Sequence, residues 1–166
     1  SVIPFFIEKK NEGVLPITDD RMTRFSITLD EGVHFVIKCL KNMLGGELFV
    51  PKIPSYKIVD VAKAIAPKAK IKITGIRPGE KLHEEMITKN DATNTIEFDT
   101  YYSIAPNSNY LEWDQKKYLQ NNEKLAGKYC NENFTYNSET NPDFLSVKQI
   151  RELIINNVPD GKSIII

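Results

Sequence analysis

Neither a G-x-G-x-x-G nor a Walker-type loop occurs in these 166 residues, and Gly45-Gly46 is the one adjacent glycine pair. The chain therefore offers no glycine-built backbone cradle for a dinucleotide or a nucleoside triphosphate. No tyrosine is followed by a lysine four positions later, and no H-E-x-x-H occurs. Cysteine is scarce. Cys39 and Cys130 stand far apart, which fits neither a disulfide framework nor a zinc site. Charge of one sign is not in excess either: 22 Lys+Arg meet 22 Asp+Glu, for a formal net charge of zero. That balance argues against a nucleic-acid stripe and against a solvated charged tail. No apolar run approaches membrane-spanning length. The opening Ser1-Val2-Ile3-Pro4-Phe5-Phe6 meets Glu8-Lys9-Lys10 without a small-residue cleavage site, so it does not read as a signal peptide. These features predict a reducing, cytoplasmic setting with no nucleic-acid or membrane partner. Asn133-Phe134-Thr135 matches a glycosylation sequon, a pattern common by chance. A start without methionine, inside an apolar pattern, reads as a fragment or a processed chain.

What is present is the composition of a soluble globular protein, 41% hydrophobic and 27% charged, long enough to bury a core. Pro4 suits the first turn of a helix running to about Asn11, with Phe5 and Phe6 on its buried side. Val14-Leu15-Pro16-Ile17-Thr18 reads as an edge strand, since proline is tolerated there. Phe25-Ser26-Ile27-Thr28 reads as extended. Thr28 and Glu31 form a capping-box pattern opening a helix. Val33, Val36, Ile37, Leu40 and Met43 then recur at helical spacing, which predicts a core-facing stripe. Cys39, inside that pattern, reads as a small buried hydrophobe. Glu47-Leu48-Phe49-Val50 reads as a strand, and Ser55 as the cap of a helix with the stripe Ile58, Val61, Ala62, Ile65, stopped by Pro67. A β-branched run, Ile71-Lys72-Ile73-Thr74-Gly75-Ile76, predicts the next strand, with a short helix from about Gly79 to Met86 after it. Two further strands are predicted at Thr95-Ile96-Glu97-Phe98 and Tyr101-Tyr102-Ser103-Ile104. Residues 106 to 145 carry weak periodicity and predict irregular structure. Ser146 and Gln149 form a second capping box for a last helix with face Val147, Ile150, Leu153, Ile154, closed by the turn Pro159-Asp160-Gly161. The alternation of strands and helices up to residue 105 is that of an α/β domain, followed by a C-terminal extension over 106–166.

The chemistry concentrates at Arg77-Pro78-Gly79-Glu80-Lys81-Leu82-His83-Glu84. A strand delivers an arginine, a rigid turn and a glutamate to one edge of a sheet. The guanidinium fork suits phosphate, and a carboxylate three residues on suits a sugar diol, so the pair fits a nucleoside diphosphate. The same residues also fit a packed arginine beside an exposed acid. His34 and His83 are lone histidines in local structure, a setting that is more often structural than catalytic. No complete catalytic set is visible.

Three motifs in order then carry a resemblance: Leu15-Pro16-Ile17-Thr18-Asp19-Asp20-Arg21-Met22-Thr23-Arg24-Phe25, Gly45-Gly46-Glu47-Leu48-Phe49-Val50-Pro51-Lys52-Ile53-Pro54-Ser55, and the segment from Gly75 to Glu84. They resemble the C-terminal half of bacterial UDP-N-acetylglucosamine 4,6-dehydratases, extended short-chain dehydrogenase/reductases, and most nearly the inverting branch that opens pseudaminic acid synthesis. The resemblance is strong to about residue 105 and loose beyond, where Tyr136-Asn137-Ser138 and the last helix carry it. It implies the substrate-binding part of that fold, without the N-terminal Rossmann half. It further implies Arg24 and Arg77 on the pyrophosphate, Glu80 on the ribose, uracil along the backbone near the Leu15-Pro16-Ile17-Thr18 strand, and Val14, Pro16 and Thr18 among the substrate-binding residues, with the Thr18 hydroxyl near the nucleotide. Arg21 is open between the nucleotide and a loop anchor. Arg24 is open between phosphate and a salt bridge to Asp30 or Glu31. NADP would be bound by the N-terminal half and not by this chain. The complete enzyme would move hydride from C4 of the sugar to NADP, lose water across C5 and C6, and return hydride to C6. A homo-oligomer, a UDP-sugar substrate and the N-terminal half are the implied partners. Ser26 departs from the tryptophan that such proteins often carry, which bears on packing more than on chemistry. Two other readings stay open: a non-catalytic interaction domain that keeps the fold, and part of another nucleotide-sugar epimerase or reductase.

Overall fold

The computed structural model describes residues 2–106, 118–119 and 127–164. It contains the helices α1 (Val2–Lys9), α2 (Leu29–Asn42), α3 (Ile58–Ile65) and α4 (Val147–Asn157). Its strands are β1 (Val14–Ile17), β2 (Thr23–Phe25), β3 (Leu48–Pro51), β4 (Ser55–Lys57), β5 (Lys70–Ile73), β6 (Glu85–Ile87), β7 (Thr95–Glu97), β8 (Tyr101–Ile104), β9 (Lys128–Tyr129) and β10 (Tyr136–Asn137). The chain forms two compact units from interleaved segments. The first comprises Ser1–Ser26, Pro54–Glu84 and Ser138–Ile166; the second comprises Ile27–Ile53 and Glu85–Asn137.

In the first unit α3 supplies the middle of the core. Its spacing buries Ile58, Val61, Ala62 and Ile65, and these meet Phe6 of α1, Leu15 and Ile17 of β1, and Ile150 and Ile154 of α4. α4 holds its register through its cap: the Ser146 side chain accepts from the Gln149 N–H, and the Gln149 side chain returns the bond to the Ser146 backbone. Its last turn is closed against Gly161, where a Cβ would lie 2.0 Å from the Ile154 carbonyl oxygen, so glycine alone fits. β1 and β5 pair in parallel, Val14 opposite Lys70 and Ile17 opposite Ile73. β2 and β4 pair antiparallel, with Arg24 opposite Tyr56.

The second unit is built round a four-stranded antiparallel sheet in the order β3-β8-β7-β9. Its core is aromatic. Phe98 stacks on Tyr101 at 4.7 Å and meets Tyr118 edge-on at 5.8 Å, while Tyr136 meets Tyr102 at 5.2 Å. Offset and edge-on arrangements of this kind suit the ring quadrupoles. Part of the stretch from 106 to 145 lies outside the described residues. Within the described part, β9 and β10 are ordered strands, and Tyr136 and Asn141 are buried.

Several expectations are corrected. Phe6 is buried at 1% exposure, but its neighbour Phe5 is 38% exposed. The stripe on α2 is not core: Val33, Val36, Ile37, Leu40 and Met43 are all exposed. Periodicity reports that a face is apolar and is silent about what covers it. Cys39 is half-buried rather than enclosed. Ser55 does not cap α3. It is a fully buried β4 residue opposite Phe25, its Oγ accepts from Asn141 Nδ2 at 2.9 Å, and α3 starts after Lys57 with no side-chain cap. The helix expected over Gly79–Met86 is replaced by a turn and then β6, because residues 81–84 are held by bonds to β2 and to Ser138 instead of to one another.

Candidate functional site

The site begins where β1 and β5 end. Beyond the paired residues, the Thr74 N–H donates to the Ile17 carbonyl at 2.9 Å and the Gly75 N–H to the Thr18 carbonyl at 3.0 Å. These bonds carry the parallel pairing past Ile73 and bring the segment leading to Arg77 beside Thr18. Carboxyl ends of parallel strands are where open α/β sheets bind ligands. Along β1 the burial alternates: Leu15 and Ile17 enter the core, while Val14 and Pro16 face outward. Val14 and Pro16 thus share the outward side of β1, and Thr18 follows directly after the strand ends at Ile17.

Arg77 and Glu80 enclose a tight turn. The Glu80 N–H donates to the Arg77 carbonyl at 3.0 Å, and the Arg77 N–H donates to Glu80 Oε2 at 3.3 Å. Gly79, with φ of 82°, takes the left-handed position that the turn requires. The carboxylate is therefore preset by its own backbone. The Arg77 side chain is exposed, and its guanidinium has no hydrogen-bond or ion-pair partner among the described residues.

Arg24 is a different case. Its Nη1 donates to the carbonyls of Thr23 at 2.6 Å and Leu82 at 3.1 Å. Its Nη2 donates to the Lys81 carbonyl at 3.0 Å and lies 3.9 Å from Met22 Sδ. Its Nε stands 3.7 Å from Glu84 Oε1. Glu84 Oε2 in turn accepts from the Phe25 N–H at 3.0 Å. The fork is thus engaged on every side. Its acidic partner is Glu84, not Asp30 or Glu31, which the sequence offered as nearer candidates.

Arg21 anchors its own loop. It meets Asp19 through Nε and Nη2 at 2.9 and 2.8 Å, and its backbone N–H also donates to Asp19 Oδ1. These bonds from Arg21 hold the Asp19 carboxyl down at about 2. His83 Nδ1 lies 2.8 Å from Thr23 Oγ1, which also pairs with Ser138 Oγ at 2.7 Å, and Ser138 Oγ accepts from the Glu84 N–H. Burial of Thr23 and Ser138 makes this a fastening between segments. Nothing in the sequence marks Glu84 and Ser138 as its partners; only the fold brings them together. His34 is exposed on α2 beside its own Asp30. Tyr56, opposite Arg24, has its phenol pushed up by burial and, less, by the Glu84 charge. Among the described residues no His/Cys/Asp/Glu cluster fit for a metal occurs, and no helix is long and apolar enough to cross a membrane.

A profile described as "Polysaccharide biosynthesis protein" matches residues 1–106. The chain belongs to that family. The inverting UDP-N-acetylglucosamine 4,6-dehydratase of Campylobacter jejuni subsp. jejuni serotype O:2 is 47% identical over 156 residues, 93% of this chain and 46% of that protein. The UDP-glucose 4-epimerase of Rickettsia canadensis is 29% identical over 160 residues, 93% of this chain and 45% of that protein. A solved structure titled "X-ray structure of Pen from Bacillus thuringiensis" superposes with a TM-score of 0.72 at 27% identity, over 94% of this chain and 45% of that one. The family member described here thus has an α/β fold of the extended short-chain dehydrogenase/reductase kind. It spans just under half the length of the curated relatives it matches.

Proposed function

We propose that the first unit is the UDP-sugar grip of a UDP-N-acetylglucosamine 4,6-dehydratase, an enzyme making a 4-keto-6-deoxy sugar nucleotide for surface polysaccharide or flagellin glycan. The observation that carries this is the Arg77–Glu80 turn at the carboxyl end of the parallel β1/β5 pair, with an exposed guanidinium that has no partner among the described residues and a backbone-preset carboxylate. Arg77 supplies the cation for pyrophosphate. Glu80 keeps one carboxylate oxygen on its turn and offers the other to the ribose hydroxyls. Val14 and Pro16 give the uracil an outward strand face, and Thr18 adds a hydroxyl just past the strand end. Arg24 contributes at one remove, by holding residues 81 and 82. Relatives named as dehydratase and as epimerase both act on UDP sugars by their names, which supports the nucleotide half of the reading.

The residues described here do not fit a dinucleotide. Among the described residues no strand runs through a glycine-rich turn into a helix; β1 leaves through the acidic turn Thr18-Asp19-Asp20. NADP and the groups that move protons are therefore assigned to the part of the relatives that this chain does not align with, and the assembled enzyme works in the cytoplasm. What this chain does is bind and orient. Fixing both ends of the nucleotide limits the positions open to the sugar, which is how a binding half assists a reaction elsewhere. Titration calorimetry of the chain with UDP-N-acetylglucosamine, UDP-glucose and ADP tests the reading. UDP sugars should bind and ADP should bind weakly or not at all. Equal affinity for all three, or none for any, would remove it and favour an interaction domain that keeps only the fold.

A further inference from the structure

The outward side chains of β1 offer a base no hydrogen bond. Val14 and Pro16 carry no polar side-chain atom, and proline has no N–H. Thr74, just past β5, spends its hydroxyl on the Ile17 carbonyl at 3.3 Å. Uracil brings carbonyl acceptors, and an acceptor taken from water without a donor costs free energy. A donor is needed beside this face, and β5 places one there. The strand reads Lys70-Ile71-Lys72-Ile73, so its lysines and its isoleucines point to opposite sides. The parallel register sets Lys70 opposite Val14 and Lys72 opposite Pro16. Both lysines therefore share the outward side of β1, while Ile71 and Ile73 share the side of Leu15 and Ile17. Lys72 is exposed, and its ammonium has no hydrogen-bond or ion-pair partner among the described residues. Neighbouring strands lie about 4.8 Å apart, a gap that the four-carbon stem of lysine crosses.

We propose that Lys72 donates to the O4 carbonyl of a uracil lying on Pro16 and so selects uracil over cytosine. This deepens the proposed nucleotide grip and rests on it. Register separates the base from the phosphates. Lys72 stands two positions before Thr74, about 6.6 Å along the strand, and Arg77 lies further on still, so base and diphosphate meet different cations. Orientation selects the carbonyl. O2 adjoins the glycosidic bond, and the ribose is assigned to Glu80 beyond the strand end, so O4 is the oxygen that reaches back toward Pro16. Cytosine carries an amino donor where uracil carries O4, and an ammonium has donors only. Lysines on an edge strand also discourage pairing with other chains. Lys70 and Lys72 share that duty alike, and it has no bearing on which base binds.

Titration calorimetry with UDP and with CDP tests this on the unmodified chain, Lys72→Met, Lys70→Met and Arg77→Ala. The unmodified chain should prefer UDP. Lys72→Met keeps an apolar stem without the ammonium; it should weaken UDP about tenfold and move CDP by less than about twofold. Lys70→Met should keep the preference. Arg77→Ala should weaken both nucleotides alike and keep the preference too. Unchanged UDP affinity in Lys72→Met would overturn the proposal and leave Lys72 an edge guard. Equal losses for UDP and CDP would overturn it by making Lys72 a phosphate contact. A Lys70→Met effect equal to that of Lys72→Met would overturn it in favour of a general cationic field. An unmodified chain that binds UDP and CDP equally would sink the base contact alone, whereas one that binds neither would sink the grip and the base contact together.

Discussion

The guanidinium of Arg24 donates to the Leu82 carbonyl at 3.1 Å, across 58 positions of sequence. That bond ties β2 to the segment that follows the Arg77–Glu80 turn. The Thr23 N–H also donates to the same carbonyl, at 3.2 Å, so two adjacent strand residues share one acceptor.

Arg24→Ala should therefore act on stability first. A charged donor on part-buried carbonyls contributes about 1.5–3 kcal/mol. Urea denaturation should show a loss of this order, and hydrogen exchange should quicken at the amides of Thr23 and Glu84. Arg24→Lys should recover only part, since one ammonium cannot span the carbonyls that the planar fork joins. Unchanged stability in Arg24→Ala would leave the fork free for ligand.

The Asp19 carboxyl should titrate near 2 and not near its ordinary 3.8, chiefly because of the bonds from Arg21. Its folded value is depressed, so the ordering it gives the loop is present above 3.8 and lost as pH falls through about 2. Carbon-detected NMR titration checks this. Arg21→Ala should bring the midpoint back toward 3.8.

Gly161→Ala should destabilise the first unit. The added Cβ would sit 2.0 Å from the Ile154 carbonyl oxygen, a backbone atom at the end of α4 that cannot step aside cheaply. Forced overpacking of this kind costs about 1–3 kcal/mol. A calorimetric melting temperature equal to that of the unmodified chain would show that the turn relaxes freely.

Sequence was most informative where local chemistry decides. Both capping boxes, at Thr28/Glu31 and Ser146/Gln149, form as the pattern predicts, because their bonds lie within one turn. The α3 stripe is buried as its spacing predicts. The same logic failed on α2, where the stripe is equally regular but exposed. It failed again at Ser55, since a serine before a helix and a serine closing a strand pair look alike in one dimension. The Arg77–Glu80 turn was legible from Pro78-Gly79 alone. The partners of Arg24 were not, because Leu82 and Glu84 reach it only through the fold. Nor does any pattern at residue 83 foretell that His83 would meet Thr23 and be absorbed in a fastening.

The most direct test is calorimetric titration of UDP-N-acetylglucosamine into the unmodified chain and into Arg77→Ala. Arg77 lies exposed, and its side chain has no partner to lose among the described residues, so its removal should leave the fold intact. Loss of one charge-assisted contact, about 1.5–3 kcal/mol, predicts affinity weaker by about tenfold to a hundredfold, with Arg77→Lys in between. Equal affinity for the unmodified chain and Arg77→Ala would contradict the assignment of the pyrophosphate to this turn.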